Sequence, residues 1–221
     1  MSTHNFNRPY YLTIIGLVVL ALFVFILSIS VTPETRDSFM KEGGPVESLS
    51  ALGYLIAVAV MFFKGGKEYL TKYWYFAVMF LSFAARELDF DKRFTNFGVL
   101  KSKFFAHPDV SWWGKVIAAI ILLVVLSAII TIVRRHGRKF IAEVFRFQWS
   151  PLVWSIGFAG GFLVVSKSLD GLARKLSGWG IAELSKETDK IASMAEEAME
   201  LAVPYLFIVA ILYFLAKQKR A

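Results

Sequence analysis

The amino-acid sequence predicts an all-α, polytopic membrane protein in which six transmembrane helices form one integral membrane domain over residues 1–221. Hydrophobic residues make up 57% of the chain and 21 of its residues are phenylalanine, more than a globular core of this length would bury. Several apolar runs approach the roughly 20 residues that a helix needs to cross a bilayer. Only helices and closed barrels can span a membrane, and these runs have helical length.

Each predicted span is bounded by residues that typically begin or end a membrane helix. We interpret the first run as a retained span, because no small-residue cleavage pattern follows it. Gly43-Gly44-Pro45 precedes the second span, Trp112-Trp113 opens the fourth and Pro151 opens the fifth. The predicted spans are residues 10–31, 46–63, 73–88, 112–133, 151–167 and 196–216.

The segments between the spans differ in character. Residues 64–72 form a short basic stretch that we expect to be a turn, and residues 166–195 are polar with helical potential. In residues 94–112, aromatic rings alternate with lysines, which is typical of a segment lying at the membrane interface. Residues 140–149 alternate apolar and polar side chains at helical spacing and are expected at the interface as well.

The basic segments predict an orientation. Residues 64–72 and 134–139 are dense in Lys and Arg and nearly free of acids, as cytoplasmic loops usually are. We therefore expect both termini on the cytoplasmic side of a plasma (inner) membrane. The net charge of +8 is concentrated beside apolar runs, a distribution that indicates membrane topology signals and argues against nucleic-acid binding.

Two residue types limit the chemistry. The chain contains no cysteine, which excludes disulfides, thiolate metal sites and cysteine nucleophiles. It contains only three histidines, so an all-histidine metal site within the membrane is not expected.

Charged residues gather at the ends of four predicted spans, on the side opposite the basic segments. Charges at the hydrocarbon boundary are costly unless they are paired or wetted, and by default they indicate a functional site. Because all these helix ends lie at one membrane depth, we expect them to converge on one polar pocket. The residues concerned are Glu47, Arg86, Glu87, Lys167, Asp170, Glu196, Glu197 and Glu200.

These residue types predict distinct roles. Arg86, Lys167 and Arg174 are expected to bind an anionic group of a substrate. Clustered carboxylates without His or Cys favour a hard cation such as Mg²⁺, Mn²⁺ or Ca²⁺, for which the candidate ligands are Glu47, Glu87, Glu197 and Glu200. Alternatively, two carboxylates share a proton and activate water, and the candidate catalytic residues are Glu87, Asp170 and Glu197.

A simpler explanation stands beside these roles. Acids at helix N-termini complement the helix dipole, so some of these charges need no function beyond helix stability. A buried network of them could also serve only to hold helices together. On helical spacing we further expect an i,i+4 ion pair between Asp170 and Arg174.

Three functional hypotheses follow. The first is a membrane-embedded enzyme that acts on a lipid or lipid-linked substrate from the extracytoplasmic side. The second is a non-catalytic membrane subunit or assembly factor, which would dock a membrane protein partner or a second copy through Gly157, Gly160 and Gly161. The third is a cation or proton transporter, although the inner halves of the spans carry few polar groups. The expected partners are membrane lipids in each case.

Overall fold

A computed structural model describes residues 3–32, 34, 43–90 and 102–220, and this part of the chain is helical without any strand. A π-helical turn, Val133–Gly137, joins α5 to α6. The α-helices of the described residues are α1 (Thr3–Ser30), α2 (Pro45–Lys72), α3 (Trp74–Glu87), α4 (Ser102–Ala106), α5 (Trp112–Ile132), α6 (Arg138–Phe145), α7 (Pro151–Leu169), α8 (Leu172–Gly178) and α9 (Lys186–Gln218).

Five helical segments are long and apolar enough to cross a membrane, which gives the chain the architecture of a multi-pass membrane protein. They are α1 from Asn5, α2, the continuous stretch Trp112–Phe145, α7 and α9. The remaining predicted span corresponds to α3, which is helical but has only 14 residues. At about 1.5 Å per residue, α3 is about 21 Å long, less than the roughly 30 Å of a hydrocarbon core.

Several boundaries differ from those predicted: α1 begins at Thr3 instead of near residue 10, and the end of α2 and the start of α9 also differ. The basic residues 64–72 are not a turn, because α2 continues through them after a kink at Gly66 (φ 82°, ψ 174°). α9 begins at Lys186 instead of near residue 196. Ser185 caps α9 by accepting a hydrogen bond from the Thr188 backbone N–H, and the acids in its first turn complement the helix dipole. The predicted loop over residues 94–112 lies partly outside the described residues.

α9 is the central helix of the bundle. Its most apolar stretch is 61% buried, whereas that of Trp112–Phe145 is 11% buried and faces outward. α1, α2 and α7 all pack on α9, and α3 packs on α2. α1 also contacts α7, so the pair α1 and α7 and the pair α2 and α3 both lie beside α9. α5 packs on α3.

The contact between α2 and α9 is unusually close at one level. Pro204 lies within α9, and Gly53 of α2 packs directly against its ring. A Cβ atom at Gly53 would stand 2.8 Å from Pro204 Cγ, so only glycine allows this approach. One turn away, the Tyr205 hydroxyl donates a hydrogen bond of 3.1 Å to the Leu49 carbonyl.

Aromatic contacts identify which helix ends lie together. Tyr10 near the start of α1 packs edge-on against Tyr213 near the end of α9, with ring centroids 5.1 Å apart. The hydroxyl of Tyr75, at the start of α3, lies 2.8 Å from Nε2 of His136 in the π-helical turn. The basic residues 64–72, 134–139 and 217–220 therefore share one end of the bundle, which we call the basic end.

Candidate functional site: a carboxylate–cation cluster at the end of the bundle opposite the basic end

The buried carboxylate of Glu200 is the centre of the candidate site. Its Oε1 lies 3.0 Å from Lys167 Nζ and 3.4 Å from Arg86 Nη2. The same oxygen accepts a hydrogen bond of 3.2 Å from Ser166 Oγ. Glu200 lies within α9, Arg86 is near the end of α3, and Ser166 and Lys167 are in the last turn of α7, so side chains from three helices meet at one carboxylate.

Lys167 links further carboxylates to this centre. Its Nζ also lies 3.3 Å from Glu196 Oε1 and 3.4 Å from Asp170 Oδ2. We call Arg86, Ser166, Lys167, Asp170, Glu196 and Glu200 the polar cluster. The side chains of its two cations are 41% and 38% exposed, whereas that of Glu200 is 7% exposed. The carboxylate is therefore buried, whereas the two cations that it holds are partly exposed.

Glu87, Glu197 and Glu47 lie around the polar cluster. Glu87 is 8% exposed and interacts electrostatically with Glu200 and Arg86, and Glu197 interacts with Glu47 and Glu200. Glu47 accepts a hydrogen bond from the Gly43 backbone N–H. Among the described residues, neither Glu87 nor Glu197 has a hydrogen bond or ion pair. Glu87 is thus near Arg86 and Lys167 without an ion pair to either, whereas the charged neighbours of Glu197 are other carboxylates.

The predicted pair between Asp170 and Arg174 is not formed. Gly171 adopts φ +59° and separates α7 from α8, so Asp170 and Arg174 are not on one continuous helix. Asp170 instead pairs with Lys167 in the preceding turn. Arg174 is exposed, with Nη2 only 2.7 Å from the place that a Cβ atom of Gly171 would occupy, and it lies outside the polar cluster.

The end of α3 sets the position of Arg86 and Glu87. The helix ends at Glu87, and Asp89 adopts φ +46°, a left-handed conformation that Asp tolerates better than most residues. The Leu88 backbone N–H still bonds the Ala84 carbonyl, which closes the last turn. Arg86 and Glu87 are therefore held on a regular helical turn.

Two residues near the site were not among the predicted ones. Ser166 is fully buried and bonds Glu200, and Tyr54 of α2 is 2% exposed and interacts electrostatically with Glu87, Glu200 and Arg86. Ser166 could have been found as the polar residue directly before Lys167 at the end of an apolar run. Tyr54 lies two turns after Glu47 on α2, so helical spacing alone places it on the same side.

The described residues include no group of three or more His, Asp or Glu side chains arranged to hold a metal ion. Glu196, Glu200 and Asp170 meet at Lys167 Nζ, so the position that a cation would take among them holds an ammonium group. The cation site at Glu47, Glu87, Glu197 and Glu200 stays a prediction from the sequence.

An apolar cleft begins beside the carboxylates. α1 and α2 both pack on α9 but scarcely on each other, which leaves a gap of about 140 Å³. Leu17, Leu49 and Leu201 line it, and Ala198 lines it at the position directly after Glu197. The apolar cleft therefore reaches the level of Glu197 on α9.

The arrangement has two chemical capacities. The buried carboxylate already fixes the conformations of the two partly exposed cationic side chains, so binding an anionic group does not require the free energy of ordering them. Arginine also suits bidentate contact with phosphate or carboxylate. A nearby carboxylate without a cation partner can act as a general acid or base. Comparison with protein-family models, with curated proteins and with solved structures gave no match, so the case for a function rests on this geometry.

Proposed function

We propose that this protein is a membrane-embedded enzyme that binds the anionic head group of a lipid or lipid-linked substrate at the polar cluster and acts on it there. One observation carries the proposal: Arg86 and Lys167, from different helices, are both held by the buried Glu200 while their side chains stay 41% and 38% exposed. Two fixed and accessible cations at a helix-bundle end suit an anionic head group.

In this proposal, Arg86 and Lys167 bind the anionic group, and Glu87, with Glu197 or Asp170, moves a proton to or from it. Glu87 is the first choice because it is buried beside the cations and unpaired among the described residues. Arg174, which the sequence also suggested as a substrate ligand, is exposed and outside the polar cluster, so we assign it no role.

The apolar cleft supports an amphiphilic substrate. Leu20 and Leu49 in its walls are 48% and 46% exposed, so the cleft opens sideways toward the surroundings of the bundle. A hydrocarbon chain in the cleft would place the polar end of the same molecule near Glu197. Such binding of chain and head group at adjacent places is typical of lipid recognition.

We further propose that α3 is a sixth span and that both termini lie in the cytoplasm, in a plasma (inner) membrane. The aromatic contacts gather the basic segments at one end of the bundle and the polar cluster lies at the other. This separation supports the orientation that the density of Lys and Arg predicts.

The enzyme proposal is tested by incubating the purified protein with a lipid extract of the source membrane and following lipid species by mass spectrometry. We expect wild type to convert at least one anionic lipid, and Glu87→Gln to lose that conversion while still folding. Glu183→Gln is the matched control, because Glu183 is exposed and is not part of the polar cluster. Equal conversion by all three proteins, or conversion by none, would contradict the role of Glu87.

The predicted divalent cation is tested separately. A cation that binds the folded state stabilises it by mass action, so wild type should then melt at a higher temperature with millimolar Mg²⁺, Mn²⁺ or Ca²⁺ than with chelator. Replacing Glu87 and Glu200 by Gln should abolish that difference. No metal response in wild type, with a Gln double variant that is more stable, would instead support a proton-sharing carboxylate pair.

A second candidate function, a non-catalytic subunit, is favoured by one observation on α7. A Cβ atom added at Gly157, Gly160 or Gly161 would meet nothing within 4 Å, so this face of small residues has room for another helix. Cross-linking of wild type and of Gly157→Leu in membranes tests it. A cross-linked species that disappears in the variant supports docking, and an unchanged pattern argues against it.

The transport hypothesis finds less support. Ser127 and Thr131 in α5 donate their hydroxyls to carbonyls of their own helix, and Ser155 in α7 is fully buried without a partner among the described residues. A translocation path needs wetted polar groups at both depths of the membrane.

A further inference from the structure

A second cavity, lined by charged and polar residues, lies at the basic end of the bundle, opposite the polar cluster. It has a volume of about 310 Å³ and lies between the last turns of α2 and α9. Lys64, Lys72 and Lys219 line it, together with Gln218 and Glu68. Three ammonium groups therefore surround this cavity with a single carboxylate.

The cavity is shaped by the kink in α2. Gly66 leaves the helical conformation, and the following turn changes direction so that Tyr69 folds back onto Gly65, where a Cβ atom would stand only 2.6 Å from the ring. The rings of Tyr69 and Tyr73 lie 4.6 Å apart and both contact Phe214 of α9. The aromatic floor is thus packed against the bundle, while the lysines form an exposed rim.

The charge of the rim is not neutralised within the described residues. No ion pair joins Lys64, Lys72 or Lys219 to a carboxylate there, and the Nζ of Lys72 lies 5.5 Å from the centroid of the Tyr73 ring. Basic residues at helix C-termini complement the helix dipole, which accounts for Lys72 and Lys219 individually. It does not account for Lys64, which lies before the kink and lines the same cavity.

We propose that this cavity is a binding site for a phosphate group, carried by an anionic phospholipid at the membrane surface or by a soluble phosphate compound. Lysine is a strongly hydrated point charge that suits phosphate, and basic pockets between membrane helices bind the head groups of anionic lipids. The aromatic floor offers carbon surface to the glycerol or acyl part of a lipid, so the lipid is the expected source. The site is independent of the proposed enzymatic function, since it lies at the other end of the bundle.

The test uses the full-length protein in nanodiscs of phosphatidylcholine alone or of phosphatidylcholine mixed with phosphatidylglycerol, and in detergent with or without inorganic phosphate. Melting temperature and co-purified phospholipid are measured for wild type and for the triple variant Lys64→Gln, Lys72→Gln, Lys219→Gln. The control variant, Lys67→Gln, Lys139→Gln, Lys217→Gln, removes the same charge from exposed positions at the same end that do not line the cavity. Circular dichroism confirms that both variants fold.

We expect phosphatidylglycerol to raise the melting temperature of wild type and of the control variant, and salt to reduce this effect. A lysine beside a bound anionic head group contributes a factor of about five in affinity, so loss of the three lysines that line the cavity should weaken phosphatidylglycerol binding about a hundredfold, and loss of the three control lysines should weaken it much less. Protection by inorganic phosphate that the triple variant loses would identify a soluble phosphate as the source. Equal losses in both variants, or no protection of wild type in either arm, would overturn the proposal.

Discussion

Lys167 is the residue with the most electrostatic contacts in the polar cluster, since its ammonium group lies within 3.4 Å of Glu200, Glu196 and Asp170. Its side chain is 38% exposed, so water screens part of these interactions. The expected contribution therefore lies between that of a surface pair, about 0–1 kcal/mol, and that of a buried pair, about 3–5 kcal/mol.

We predict that Lys167→Ala lowers the free energy of unfolding by about 2 kcal/mol, because Glu200 loses its nearest cation and stays buried. Arg174→Ala should change it by less than about 0.5 kcal/mol, because Arg174 is exposed and outside the cluster. Denaturant titration of both variants in the same detergent checks this difference. Equal effects would show that water already solvates the charges around Lys167.

At the residue scale, the sequence indicated most of the site because charges beside apolar runs are rare and conspicuous. It did not determine their pairing. Asp170 pairs backward with Lys167 because Gly171 takes φ +59°, and helical spacing alone favoured Arg174. Glycine permits that conformation in any context, so its presence does not say whether a helix continues.

Among the helices, the approach of α2 to α9 at Gly53 has a direct energetic consequence. We predict that Gly53→Ala destabilises the bundle by about 1–3 kcal/mol, because the added methyl group would overlap the Pro204 ring. Gly160→Ala in α7 should be neutral or slightly stabilising, since the new methyl group meets open space and alanine favours the helix.

Thermal unfolding of these two glycine variants, prepared side by side, provides the measurement. A Gly53→Ala protein as stable as wild type would mean that α2 moves away from α9 without cost. That result would also show that close packing of Gly53 on Pro204 does not hold α2 and α9 in one relative position.

The sequence predicted the helices more reliably than their ends. Apolar length predicted six spans, five of which correspond to helices long and apolar enough to cross a membrane, but it began the last span at Glu196 because the acids there resembled a boundary. In the structure, α9 begins ten residues earlier, at Lys186, and is capped by Ser185, so the acids lie within a continuous helix. Charged residues also resembled the end of α2, so the helix over residues 67–72, after the kink at Gly66, was not predicted.

For the whole molecule, the separation of the basic end from the polar cluster predicts the outcome of topology mapping. Reporter fusions at Gly65 and Gly137 should report the cytoplasm, and fusions near Gly44 and Ser177 the opposite side. The inverse pattern would place the polar cluster in the cytoplasm and would require a different substrate source.

The expectation that charged span ends lie at one depth came from alternating the direction of successive spans, and it used no information about packing. The arrangement around α9 could not be predicted in the same way. Small residues such as Ala57, Ala159 and Ala202, all at most 5% exposed, let α2 and α7 approach the central helix, and such residues also occur at many positions that face lipid. Hydropathy does not distinguish the two environments.

The shortness of α3 has a consequence for the surrounding membrane. As the sixth span that we propose, α3 would be about 9 Å shorter than the bilayer core, a mismatch that lipids relieve by thinning around the helix. Lipid head groups and water would then lie closer to Arg86 and Glu87 at the end of α3.

We therefore predict that the protein is most stable in bilayers of short-chain lipids and loses stability as the acyl chains lengthen. Melting temperatures in nanodiscs of graded chain length test this, and a curve that rises with thickness would contradict it. The length of α3 would thus make the stability of the protein depend on the thickness of the cellular membrane in which it resides.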